Sequence, residues 1–147
     1  MNLKEQLNET MKTAMKARDE LRLSAVRMIR SAVKNREIEQ KRDLLDHEVI
    51  EVISTMAKQR RESIRLYREG NRPELAEKEE AELTVMLSFL PAQLSIDEIS
   101  ELINRIIAET GSDSAKDIGR VMKALNPLIA GKADGKIVSD VVRQKLA

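Results

Sequence analysis

Apolar positions three and four residues apart run through most of this 147-residue chain, the spacing that aligns side chains along one face of an α-helix. Leu3, Leu7, Met11 and Ala14/Met15 mark a first helix. After Asp19, a residue suited to capping a helix N-terminus, a second carries Leu21, Ala25, Met28/Ile29, Ala32/Val33 and Ile38. A third starts near Asp46 with Val49, Val52/Ile53, Met56, Ile64 and Tyr67, and Gly70 ends it as a C-cap. Asn71 and Pro73 open a fourth, since proline suits a first helical turn, and its apolar positions are Leu75, Leu83, Met86/Leu87 and Leu90.

The stretch "LPAQLS" at 90–95 reads as a linker, with Pro91 stopping the helix before it. Ser95-Ile96-Asp97-Glu98 is a capping box that opens a fifth helix, with Ile99, Leu102/Ile103 and Ile106 inward and Gly111 closing it. A sixth opens at Ser114 with Asp117 three residues on, buries Ile118, Val121/Met122 and Leu125, and ends before Pro127. A seventh follows Asp134, an N-cap, and carries Ile137/Val138, Val141/Val142 and Leu146. With no β-hairpin pattern and no repeat, the expected fold is all-α. Residues 1–91 form a helical N-terminal subdomain of long charged helices, and residues 92–147 a small three-helix C-terminal bundle.

Composition narrows the chemistry. There is no cysteine, which excludes disulfides, thiolate catalysis and cysteine-ligated metal. The amphipathic, charged start MNLKEQLNETMK has no apolar run of signal length, so a cytoplasmic protein without membrane association is expected. The single His47 opens the third helix, and the position three before it is Leu44 where a helical di-metal motif needs Glu. No serine or threonine sits in a nucleophile motif. No catalytic residue, metal or cofactor is therefore expected.

The net charge of +1 conceals strong blocks. Residues 12–42 hold ten bases and four acids, 74–82 one base and five acids, and 114–147 seven bases and three acids. In the last block "NPLIAGKADGK" gathers Gly131, Lys132, Asp134 and Lys136 at a turn between helices. It lacks the spacing of a P-loop. Two readings remain open: a plain helix–helix turn, or a helix N-terminus whose free N–H groups, with Lys132 and Lys136, attract an anion. Gly119, costly inside a helix, allows close packing or close approach of a ligand. Lys116, Arg120 and Lys123 line one helix face around it, and with Lys132 and Lys136 would make a compact basic surface.

A second basic surface comprises Arg22, Arg27, Arg30 and Lys34 on the second helix, with Arg60, Arg61 and Arg65 on the third. Its alternative is internal pairing with the acidic fourth helix. With only Tyr67 and Phe89 as aromatics, the chain has no platform for stacking bases. Nucleic acid, if bound, is read through the phosphates and shape of a folded RNA.

The segments "LRLSAVRMIRSAVKNREIE", "KQRRESIRLYREGNRPELAEKEEAEL", "FLPAQLS" and "KDIGRVMKALNPLIAGKADGKIVSDVVRQKL", in this order, resemble the YqeY family. YqeY proteins are similar to the C-terminal tail of GatB, the subunit of the tRNA-dependent amidotransferase that holds aminoacyl-tRNA. A similar module is appended to some glutaminyl-tRNA synthetases. The tail motif matches Gly119, Val121, Met122, Gly131, Lys132, Ala133 and Asp134 here. The resemblance implies a tRNA-binding accessory module in which Lys116, Arg120, Lys123, Lys132 and Lys136 face phosphate, with a synthetase or amidotransferase as partner. It does not imply catalysis, since GatB's kinase-like core has no counterpart in this chain. The alternatives are a protein–protein adaptor without RNA specificity and, third, a component of a glutamine-dependent carbon–nitrogen ligase.

Overall fold

A computed structural model describes residues 1–147 as seven α-helices and one 3-10 turn, with no strand. The helices are α1 (Leu3–Ala17), α2 (Glu20–Gln40), α3 (Asp46–Glu69), α4 (Pro73–Leu87), α5 (Ile96–Thr110), α6 (Ile118–Ile129) and α7 (Gly135–Leu146). The 3-10 turn, Ala115–Asp117, leads into α6. No helix is long and apolar enough to cross a membrane. The helices fall into two compact units, Met1–Pro91 and Ala92–Ala147.

In the first unit α1 pairs with α2, α3 pairs with α4, and α2 packs on both α3 and α4. Leu7, Val26, Ile29, Val49, Ile53 and Met86 are fully buried between them. Caps set the ends. Asn2 accepts the Glu5 N–H at 2.8 Å, and Asp19 accepts the Arg22 N–H at 3.1 Å. Glu48 reaches back to the Leu45 N–H at 3.0 Å. The buried stripe of α2 keeps Ala25, Ile29 and Val33 as expected and adds Leu23 and Val26, whereas Leu21 and Ile38 are exposed. A helix with three neighbours is not oriented by its own periodicity alone.

Gly70 is the C-cap of α3 as expected, without the left-handed backbone usual there. Its φ is −81°, and Asn71 takes the left-handed conformation at φ 57°. Asparagine tolerates that region, and Gly70 is placed where a Cβ would lie only 3.2 Å from the Leu66 carbonyl oxygen.

In the second unit Ile103, Val121, Leu125, Val138 and Val142 form the centre of a separate core. The Ser95–Glu98 capping box is present, and Gly111 closes α5 at φ 65°. α6 continues past Pro127 to Ile129 instead of ending before the proline. Pro127 and Lys123, whose carbonyl loses an N–H partner, are both exposed, while buried Ile129 holds the turn to the core. The segment read as a linker belongs partly to this unit: Leu94 packs on its core and donates its N–H to the Lys132 carbonyl at 2.9 Å.

Candidate nucleic-acid interface

Val121, Leu125 and Ile129 turn one face of α6 into the second core. At about 100° per residue, the opposite face carries Arg120 and Lys123, with Gly119 beside them and Lys116 in the 3-10 turn just before. All four are exposed. Lys116 and Lys123 make no ion pair. Arg120 is anchored: its Nη2 lies 2.5 Å from Asp117 Oδ1, and its Nη1 donates to the Thr110 carbonyl at 3.3 Å. The other Asp117 oxygen accepts the Asp113 N–H at 3.0 Å. That backbone bond first, and the Arg120 guanidinium second, hold the Asp117 carboxyl down at about 2. Asp117 thus ties the loop before α6 to the arginine after it. Ser114 makes no side-chain cap bond.

No atom lies within 4 Å of the Cβ that Gly119 would gain. Close packing inside the protein is therefore not the reason for this glycine. What its absent side chain leaves is bare backbone open to solvent between two unpaired lysines.

Gly131 sits at φ 72° in the turn between α6 and α7, where an L side chain is strained. The Gln93 side chain donates to the Gly131 carbonyl at 2.8 Å, next to the Leu94–Lys132 bond. Gln93 and Leu94 are positioning residues that the sequence did not reveal, because a glutamine in a short polar segment carries no periodic or motif signal. Asp134 Oδ1 accepts the Lys136 N–H at 3.0 Å and caps α7. A carboxylate thus occupies the helix end itself, and any phosphate contact there falls to the side chains of Lys132 and Lys136.

The expected compact patch is drawn out. Lys116 stands just before α6 and Lys132 beyond its end, separated by a 12-residue helix about 18 Å long. The basic residues form a strip.

The second predicted surface divides. Arg60 is withdrawn from solvent, bound to Glu79, with Glu82 Oε2 2.7 Å from the same nitrogen. Arg65 pairs with Glu62 and Glu69, and Arg22 with Asp19 at 3.4 Å. Arg61 is half-buried. Arg68 pairs with Glu80 across α3 and α4, so the acidic run of α4 serves largely to receive arginines of α3. Arg27, Arg30 and Lys34 differ: they face outward with no carboxylate within ion-pair distance.

Comparison with known proteins gives a family match for "Yqey-like protein" over residues 4–146. Among curated relatives, "Altered inheritance of mitochondria protein 41, mitochondrial" of Lachancea thermotolerans is 31% identical over 118 residues, covering 76% of this chain and 63% of the relative. Its namesake in Vanderwaltozyma polyspora is 30% identical over 120 residues, covering 76% and 64%. The namesake in Saccharomyces cerevisiae, strain YJM789, is 29% identical over 112 residues, covering 71% and 60%. The chain therefore spans less than two thirds of the length of these relatives. Their names overturn the cytoplasmic expectation, because the relatives are mitochondrial proteins by name. Lack of cysteine and of a membrane span does not distinguish one reducing compartment from another.

Proposed function

The chain belongs to the YqeY-like family, and on that premise we propose that it is a tRNA-binding accessory module, holding a tRNA body for a partner enzyme of aminoacyl-tRNA metabolism without making or breaking bonds itself. The observation that supports this reading is the solvent face of α6. Lys116 and Lys123 are unneutralised, Arg120 is pre-positioned by Asp117, and the backbone at Gly119 is open. A strip of cations on a rigid helix suits a run of phosphates on a folded RNA. Two aromatic residues in the whole chain do not suit splayed bases.

The test is fluorescence anisotropy of labelled tRNA with the full chain at two salt concentrations, against a hairpin RNA competitor. The expected result is preferential tRNA binding. The Lys132→Glu/Lys136→Glu variant should then bind more weakly, with a salt dependence shallower by roughly one unit for each phosphate it no longer engages. Equal competition by the hairpin would favour the protein–protein adaptor, for which exposed Leu128 and Ile137 offer an apolar surface.

A further inference from the structure

A groove of about 480 Å³ runs between α1 and α2. Its floor is apolar, with Leu7 and Val33 buried beneath it. Arg27, Arg30, Ser31 and Lys34 edge it from α2. Their spacings of three, four and seven place them on one side of that helix, over about 10 Å of its length.

The charges in this groove are unevenly spent. Its one carboxylate, Glu37, is engaged by Lys4 Nζ at 2.6 Å and by the Leu44 N–H at 2.8 Å. Lys4 in turn is held by Glu37, with Asp43 3.7 Å away. Arg30 donates to Asn8 Oδ1 at 2.9 Å and rests against Met11 Sδ, both neutral groups that fix its direction without cancelling its charge. Arg27 and Lys34 make no ion pair within 4 Å, and Lys34 acts on Glu37 only through its charge at longer range, after Lys4 and the Leu44 N–H, in lowering that carboxyl. Four cations against one carboxylate leave the lining at +3.

Elsewhere in this unit Arg60, Arg65 and Arg68 are each neutralised by neighbouring carboxylates of α3 and α4. In the α1–α2 groove only Lys4 is so paired. We propose that it is a second phosphate-binding site, in which Arg27, Arg30 and Lys34 hold successive phosphates of an RNA strand and Ser31 offers a hydroxyl between them. The cations stand in a row along a helix and do not converge on a point, an arrangement that matches a linear polyanion better than one compact ion. Arg30, already oriented by Asn8, supplies the bidentate fork. The inference rests on the RNA reading above and adds a binding region to it on the first unit.

The experiment compares tRNA binding by the full chain and by Arg27→Gln/Lys34→Gln over a salt series. Neither side chain makes a bond in the fold, so circular dichroism should show unchanged helix content. With two phosphates no longer held, the log–log salt slope should flatten by about 1.4 to 1.8 units and binding should weaken about tenfold or more at 0.1 M salt. Unchanged slope with wild-type affinity intact would overturn this site while leaving the α6 surface standing. No tRNA binding by the wild type would overturn both.

Two competitors identify the source of the anion. Pyrophosphate displacing tRNA from wild type but not altering the double variant would assign the groove to a small free phosphate and overturn the strand assignment. Displacement by poly-glutamate as effective as by unlabelled tRNA, abolished in the variant, would assign it to an acidic protein segment and overturn it likewise. Displacement by unlabelled tRNA alone upholds it.

Discussion

Replacing Gly119 with alanine adds a methyl group to open solvent, because nothing lies within 4 Å of the Cβ it would gain. Removing the conformational freedom of glycine from the first turn of α6 should stabilise the protein by about 0.5–1 kcal/mol. A denaturant midpoint that rises with an unchanged slope would report it. If RNA backbone approaches there, the same variant loses tRNA affinity, so stability and binding move in opposite directions. Gly131 behaves otherwise. At φ 72° its alanine variant should lose about 1–2 kcal/mol, read in the same denaturation. The tail motif Gly-Lys-Ala-Asp was legible at the turn because a left-handed backbone demands glycine. The solvent-facing role of Gly119 was not, since a glycine letter looks alike whether space is crowded or open.

At the scale of elements, the acidic and basic runs of α3 and α4 were visible as charge blocks, and a pairing between them was one of two open readings. The structure shows which residues meet. Arg60 lies between two α4 carboxylates, one of them Glu82 at 4% exposure. Arg60→Ala should cost about 3 kcal/mol or more, since it strands a buried carboxylate without its counter-charge. Thermal melting of that variant beside Arg65→Ala checks it, because the exposed Arg65 pairs should contribute under about 1 kcal/mol. Periodicity located every helix but oriented α2 imperfectly. Val26, three before Ile29, lies on the stripe of Ala25, Ile29 and Val33, and Ile38, nine beyond Ile29, falls on the opposite face; for Leu21 and Leu23 at the stripe's two edges, only the positions of α1, α3 and α4 select which is buried.

Across the whole molecule, the carboxylates with perturbed titration all shift in one direction. Lys4 lowers Glu37, Arg42 lowers Glu48 to about 2, and Arg72 lowers Glu74. The Ser95 N–H lowers Glu98, and the Asp113 N–H lowers Asp117 to about 2. A carboxyl held below its unfolded value stabilises the fold at any pH above that value, and the contribution disappears as pH falls toward the folded one. The melting temperature should therefore stay level from about pH 7 to 5 and decline between about 4.5 and 2. Melts followed by circular dichroism across that range would measure it.

The sequence by itself determined the all-α class, the number of helices and most of their caps, because these depend on side-chain period and on residues within one turn of each helix end. It also placed Arg120 and Lys123 on one side of α6. Only the tertiary structure decided which cations remain available. A charge block says how many bases are present; whether Arg60 is consumed and Arg27 left open depends on which helix lies opposite, at distances of a few ångströms between residues far apart in the chain. The same holds for the Gln93 hydrogen bond that fixes the Gly131 turn from 38 residues away. Local spacing cannot encode such a meeting, and packing supplies it.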